Sequence, residues 1–283
     1  MPTFETPNPI DLAINVQVGR IEVVASDRPD TVVTVTPSSA DKAVDRHGVE
    51  STKVEFDGKR VTVIGPKARI SWIGPGPFDS VDIRVELPAG SRLTAELSVG
   101  NLRTDGRLGA TRVKCSSGSA ELGSTGDLWL RAGHGGAIVD SADGSAEITS
   151  DYGRIRIGSV SGDSVLKASY GSIDIEEAGG DVDAKLSYGD LEITRALGSV
   201  TAKTAYGDIR LGEISRGSIQ VESGYGRIAL GVRPGVPAWL DLSSKNGHVR
   251  NELAGDNTPD ASETTVAVRA RTQVGEISVQ RAS

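Results

Sequence analysis

The chain has 283 residues, of which 37% are hydrophobic, only 4% aromatic and 35 glycine; this excludes a large aromatic core and suits a thin core of Ile, Leu, Val and Ala sealed by many tight turns. Its formal net charge of −7 argues against bulk attraction to nucleic acid or an anionic membrane, while leaving room for a local basic stripe. No stretch approaches the roughly 18 apolar residues of a bilayer span, the first residues carry neither a basic nor an apolar leader segment, and the chain as written is expected in the cytoplasm.

In chain order, residues 10 to 64 are predicted as antiparallel strands: INVQVGRIEVVAS, TVVTVTP and KVEFDGKRVTVIG. Within the last, Asp57-Gly58 is a two-residue hairpin signal. The stretch GPGPFDS (74 to 80) reads as a turn-rich break, and VDIRVELPAG (81 to 90) as a strand stopped by Pro88 and Gly90. Residues 1–90 are thus expected to form an antiparallel N-terminal β cap.

From about residue 91 the chain is periodic. Five Tyr-Gly pairs, Tyr152-Gly153, Tyr170-Gly171, Tyr188-Gly189, Tyr206-Gly207 and Tyr225-Gly226, recur at glycine spacings of 18, 18, 18 and 19, and a fixed short period marks a repeat architecture. The register extends back through Gly135, Gly118 and Gly100 and forward through Gly247 and Gly275. A second glycine sits about nine residues after each first one, at Gly109, Gly126, Gly144, Gly162, Gly180, Gly198 and Gly217. Each half then reads Gly-x-apolar-x-apolar, as in Gly171-Ser-Ile173-Asp-Ile175, which means short strands with one buried face.

Two strands per coil predict an all-β fold, a single-stranded parallel β-helix or β-solenoid of about 18 residues per coil over 91–230. Together with the cap at 1–90 and C-terminal coils and an irregular cap at 231–283, this gives one continuous elongated domain. Coils stacked about 4.8 Å apart place equivalent residues in columns. One sheet buries Ile155, Ile173, Leu191, Ile209 and Ile228 beside Ile157, Ile175, Ile193, Leu211 and Leu230; the other buries Leu128, Ala146, Val182, Val200 and Ile219 beside Leu130, Ile148, Leu166, Ala184, Ala202 and Val221. Large aliphatics in such columns contribute roughly 1.5–3 kcal/mol each when fully buried. Past 231, VPAWLDLSS and NGHVRN form a last coil, the acidic loop AGDNTPDASE (254 to 263) interrupts, and TTVAVRA with VGEISVQ closes the chain.

One outward column carries Lys114, Arg131, Thr149, Lys167, Lys185, Lys203 and Glu222. This mostly basic ladder either tracks an anionic polymer, whose charges also repeat at a few ångströms, or keeps an exposed sheet soluble beside Glu147 and Asp183. The tyrosine column, Tyr152, Tyr170, Tyr188, Tyr206 and Tyr225, reads mainly as an edge seal over the adjacent glycines and alternatively as a sugar- or partner-binding strip. His134 occupies the same column as a variant ladder residue. On the other sheet Arg156 falls beside Asp174 and Glu192 beside Arg210, opposite charges that favour in-register stacking.

Catalytic signals are weak. Asp190 and Asp208, with Glu192 and Asp174 one column away, are the carboxylates placed for glycoside cleavage on a β-helix face. Gly133-His-Gly-Gly136 is followed by no helix and lacks the context of a phosphate loop. His47, His134, His248 and the single Cys115 are too scattered for a metal set. Neither a metal nor a cofactor is implied. Cys115 falls on an inward position and reads as a small core filler in a reducing compartment.

The entry segment VDIRVELPAGSRLTAELSVGNLRTDGRLG, with Leu87-Pro88-Ala89-Gly90, and repeats such as SYGDLEITRALGSVTAKTAYGDIRLGEI resemble an uncharacterised bacterial family. Its members are mainly actinobacterial and are called β-strand-repeat proteins or "putative adhesins". The resemblance covers nearly the whole chain, implies a parallel β-helix and brings no catalytic residues. Taken together, the expectation is a non-enzymatic β-solenoid that binds or scaffolds, with a protein partner, self-association or an anionic polymer as its counterpart and no specific nucleic-acid signal. The alternatives are an exported surface adhesin and a β-helix enzyme acting on a polysaccharide.

Overall fold

A computed structural model describes residues 1–66, 70–71, 74–75, 79–253 and 265–282. The acidic loop at 254–263 and part of the break at 74–80 lie outside the described residues. Contacts divide the chain into two compact units, Met1–Ser141 and Ala142–Ser283. Each is a stack of parallel β-coils, and the fold is an all-β parallel β-helix whose one helix among the described residues is Ala43–Ser51. That helix falls in a segment given no element from sequence. Among the described residues no helix is long and apolar enough to cross a membrane.

In the second unit each 18-residue repeat closes one coil. Ala146–Tyr152, Ser164–Tyr170, Val182–Tyr188, Val200–Tyr206 and Gly217–Tyr225 pair in parallel, each with the next. Ile155–Val160, Ile173–Ala178, Leu191–Ala196, Ile209–Ile214 and Ile228–Val232 do the same on the second sheet. The registers are the expected columns: Ile155, Ile173, Leu191, Ile209 and Ile228 align, and each is at most 1% exposed. Alternation explains why they form, since every second side chain enters the space between the sheets and every other one faces out.

A third inward column, read from sequence only at Cys115, holds Ser150, Ala168, Leu186, Thr204, Ser223 and Thr272, all buried. Its hydroxyls donate to glycine carbonyls at the Tyr-Gly turn, Thr204 Oγ1 to Gly189 at 3.2 Å, Ser223 Oγ to Gly207 at 3.0 Å and Thr272 Oγ1 to Gly226 at 3.1 Å. Buried hydroxyls are tolerated there because each finds an acceptor. In the first unit Cys115 holds the corresponding place, its Sγ 3.6 Å from the carbonyls of both Gly100 and Gly118. Burial pushes its thiol pKa up, as fits a core filler.

The turns explain the glycines in two ways. At Gly189 φ is +150°, and an added Cβ would stand 2.0 Å from the carbonyl oxygen of Gly171 one coil below. Both torsion and space therefore require glycine. At the other turn, of Gly162, Gly180, Gly198 and Gly217 only Gly217 has positive φ, at +90°. The other three are required by space alone: a Cβ on Gly180 would lie 2.5 Å from the Gly162 carbonyl.

The structure departs from the expected order at both ends. Residues 10–64 are not all antiparallel, for Asp11–Ser26 runs parallel to Arg92–Asp105 across both sheets, turning at Gly19 as its partner turns at Gly100. It is a coil of the stack, with Arg60–Ile64 and Val81–Pro88 also parallel to it. Among the described residues antiparallel pairing is confined to Thr3–Glu5 with Asp30–Pro37, Asp30–Pro37 with Val81–Pro88, the hairpin Lys53–Phe56 with Arg60–Ile64, and the short pair Ile70–Ser71 with Gly74–Pro75. Asp57 secures that hairpin, accepting the backbone N–H of Lys59 and Arg60 at 3.0 and 2.8 Å.

At the C-terminus the last coil in sequence is not the last in space. Val266–Val274 pairs with Gly217–Tyr225 on one side and Ala238–Asn246 on the other, and Ile277–Arg281 lies likewise between Ile228–Val232 and Val249–Asn251. The 238–251 coil is thus outermost, and the closing strands are slotted beneath it.

Replacing Gly189 by Ala is expected to destabilise the fold by about 3 kcal/mol or more, from strain plus a backbone clash. Gly58→Ala, with φ +95° and nothing within 4 Å of the added Cβ, should cost only about 1 kcal/mol; urea melts of the two variants compare them. Ser164 Oγ is buried with no hydrogen-bond partner among the described residues, so Ser164→Ala is expected to raise stability by about 1 kcal/mol in the same assay.

Candidate binding surface

The tyrosine column is a continuous stack. Successive ring centroids from Tyr152 to Tyr225 are 5.0, 5.0, 5.0 and 4.9 Å apart, with interplanar angles of 1° to 4°. Each tyrosine pairs in register with the next, as the last residue of its strand before the glycine turn. A centroid spacing above the ~3.5–4.0 Å of carbon contact means that parallel rings touch by sliding past one another. The faces are therefore turned largely to each other, and solvent meets ring edges and phenol hydroxyls. Each tyrosine is 46–50% exposed, half seal and half surface.

The lysines lie on the same sheet. Lys167, Lys185 and Lys203 occupy successive strands in direct register, followed by Glu222 and then Arg271. Lys114 and Arg131 pair with each other in the first unit, where Glu96 precedes Lys114. The five basic residues read as one ladder are thus two and three in separate compact units. Of the second set, Lys203 is 2.9 Å from Glu222 and Lys185 is 3.4 Å from Asp183. Such exposed pairs contribute about 0–1 kcal/mol.

Two residues along each strand from the lysine, and directly before the tyrosine, the outward side chain is small: Ser169, Ser187, Ala205 and Gly224. A small column between two tall ones makes a groove. At its C-terminal end the groove encloses about 820 Å³ and is lined by Lys203, Tyr206, Tyr225 and Glu222 together with Lys245 and Arg271. The last two were missed by sequence reasoning, because their place depends on the inverted order of the final coils. Trp239, 60% exposed on the outermost coil, was missed for the same reason.

The carboxylates singled out for catalysis are tied into the stack. Asp190 Oδ1 accepts the Asp208 backbone N–H at 2.8 Å, and Asp208 in turn accepts the Arg227 N–H at 2.7 Å and its guanidinium at 3.0 Å. Glu192 lies 3.8 Å from Arg210. Asp174 lies in register beside Arg156, as expected from sequence, and its carboxylate is gripped by Arg154, at 2.5 and 2.8 Å. That guanidinium, aided by the Ser172 hydroxyl, holds the Asp174 carboxyl below its ordinary pKa. Among the described residues no three His, Cys, Asp or Glu side chains cluster to hold a metal ion.

A family profile matches this architecture over nearly its full length, residues 11–280. The chain belongs to the Toastrack DUF4097 family. Among solved structures, one named "putative adhesin" from Bacteroides fragilis is 13% identical over 98% of this chain and 95% of its own, with a TM-score of 0.37. Another "putative adhesin", from Parabacteroides merdae, is 10% identical over 100% and 95%, with a TM-score of 0.36. A "putative lipid binding protein" from Parabacteroides distasonis is 12% identical over 100% and 96%, with a TM-score of 0.30. No curated protein matches the chain significantly.

If the rings stack as described, adjacent tyrosines are energetically coupled and alternate ones are not. A double-mutant cycle of Tyr170→Ala with Tyr188→Ala should return a coupling of about 0.5–1.5 kcal/mol in stability, and Tyr170→Ala with Tyr206→Ala close to zero. Equal coupling for both pairs contradicts the ladder.

Proposed function

We propose that this protein is a non-catalytic, adhesin-like binding protein that holds an extended, repetitive ligand along the tyrosine edge of residues 152–225. One observation carries the reading: five identical, half-exposed side chains are held in register at a 4.9–5.0 Å repeat. A compact ligand gains nothing from such a period, whereas a polymer of similar repeat makes the same contact on every coil, and its contacts accumulate by effective concentration. The structural engagement of Asp174, Asp190, Glu192 and Asp208 supports a binding role over a hydrolytic one.

The test is a length series of charged and neutral polysaccharides on a biosensor surface. Affinity should rise steeply with chain length up to about five units, the number of tyrosine rungs, and then level off. Binding that is independent of length, or absent for every polymer, contradicts the proposal.

Self-association is a second reading, favoured by the outermost coil. Among the described residues no strand pairs with the outer edge of Ala238–Asn246 or Val249–Asn251, and Trp239 and Val249 are exposed there. Open edges of this kind template pairing with another chain. Light scattering should then show a mass that doubles with concentration in the unmodified protein and stays monomeric in Trp239→Lys; a monomer at all concentrations excludes it.

A further inference from the structure

We infer that the ligand of this surface is an acidic polysaccharide, a chain of carboxylated sugars lying in the groove between the tyrosine and lysine columns of the second unit. This rests on the binding role proposed above and adds the chemical class. Three observations converge on it.

The first is the composition of the two walls. One is a row of phenol hydroxyls, each both donor and acceptor, at one per coil. The other is a row of exposed cations, Lys167, Lys185 and Lys203, also at one per coil, resumed by Arg271 after Glu222, while Lys245 stands on the outermost coil in the column of Gly224 and Gln273. A ligand that satisfies both must offer one anion and several hydroxyls in each repeat of about 5 Å, which is the chemistry of a uronic acid unit in an extended chain.

The second is the floor. Ser169, Ser187, Ala205 and Gly224 leave room for a ring-sized unit between the walls, and their backbone is part of a rigid sheet, so little order is lost on binding. At the C-terminal end of the groove Glu222 is the one carboxylate among the lining residues, and it is already paired with Lys203 at 2.9 Å; Arg271 is 3.4 Å from Asp241, and Asp151 stands on the floor only at the far end, beside Tyr152. These exposed pairs are weak, and a ligand carboxylate can replace the protein's own at each cation. The positive balance of the groove stands out against a chain of net charge −7.

The third separates this ligand from nucleic acid. Single strands are held by bases stacking on free aromatic faces, but here the faces are taken up by neighbouring tyrosines.

The test is calorimetric titration of the full chain with alginate oligosaccharides, with cello-oligosaccharides and single-stranded oligo-dT of matched length as comparisons. The expected result is alginate binding that weakens at least tenfold between low and physiological salt. It should fall at least tenfold again in a Lys185→Gln, Lys203→Gln, Lys245→Gln variant whose thermal melt is unchanged. Tyr206→Phe, which keeps the stack and removes one hydroxyl, should weaken it several-fold. Cello-oligosaccharide binding equal to alginate, or an unaffected lysine variant, overturns the acidic-sugar assignment while leaving the ladder reading intact. Tighter binding of oligo-dT overturns it in favour of nucleic acid, and failure of every polymer sinks both.

Discussion

The Tyr-Gly turn is where the chain must reverse between sheets while the next coil passes directly over it. At Gly171, Gly189, Gly207 and Gly226 the backbone of one coil approaches the carbonyl of the coil below so closely that a Cβ would sit 2.0–2.1 Å from that oxygen. The approach brings a hydrogen bond, each turn N–H reaching the tyrosine carbonyl of the following coil at 2.9 Å for Gly153, Gly171, Gly189 and Gly207. From inside, the buried hydroxyl column donates to the same glycines' carbonyls. The glycine amides and carbonyls at this corner are thus paired, although it lies at the edge of the sheets.

That closeness fixes everything outward of it. With the turn held at one height per coil, residues 18 or 19 apart sit at strand spacing, and identical side chains form ladders. The same geometry turns the tyrosines into a stack and the lysines into a row, and leaves the groove between them where the sequence places Ser, Ala or Gly. It also converts turn carboxylates into bridges: Asp163 accepts the Asp181 N–H at 3.0 Å, and Asp181 accepts the Ser199 N–H at 2.8 Å, one coil on each time. Acidic residues that look like a reactive cluster in one dimension are spent on holding adjacent coils together. What is left for function is a periodic surface.

Much of this was legible because the repeat is local: a strand and its partner are 18 residues apart, so period and alternation reveal register, core columns and both ladders. Legibility ended where pairing became non-local. Asp11–Ser26 carries the same Gly-centred alternation as a repeat coil, but its partner Arg92–Asp105 lies 81 residues away, with no neighbouring copy to expose the match. The slotting of Val266–Val274 beneath Ala238–Asn246 leaves no mark in the sequence, and with it Lys245 and Arg271 stayed invisible as parts of the groove. Apart from Cys115, the third inward column was passed over because Ser and Thr break an apolar pattern; only the nearby glycine carbonyls make sense of them. Ring orientation was equally out of reach, and it matters, since it replaces open aromatic faces with edges and hydroxyls.

Amide hydrogen exchange at the turn glycines tests the account most directly. Turn amides near a surface ordinarily exchange fast, whereas here Gly171, Gly189, Gly207 and Gly226 donate to the coil beyond, Gly226 to Val274 across the slotted coil at 3.0 Å. The account requires these four amides to be protected as strongly as those of the buried strands, and to be lost with them in one cooperative step. Rapid exchange at the glycines, with the strands still protected, would contradict it.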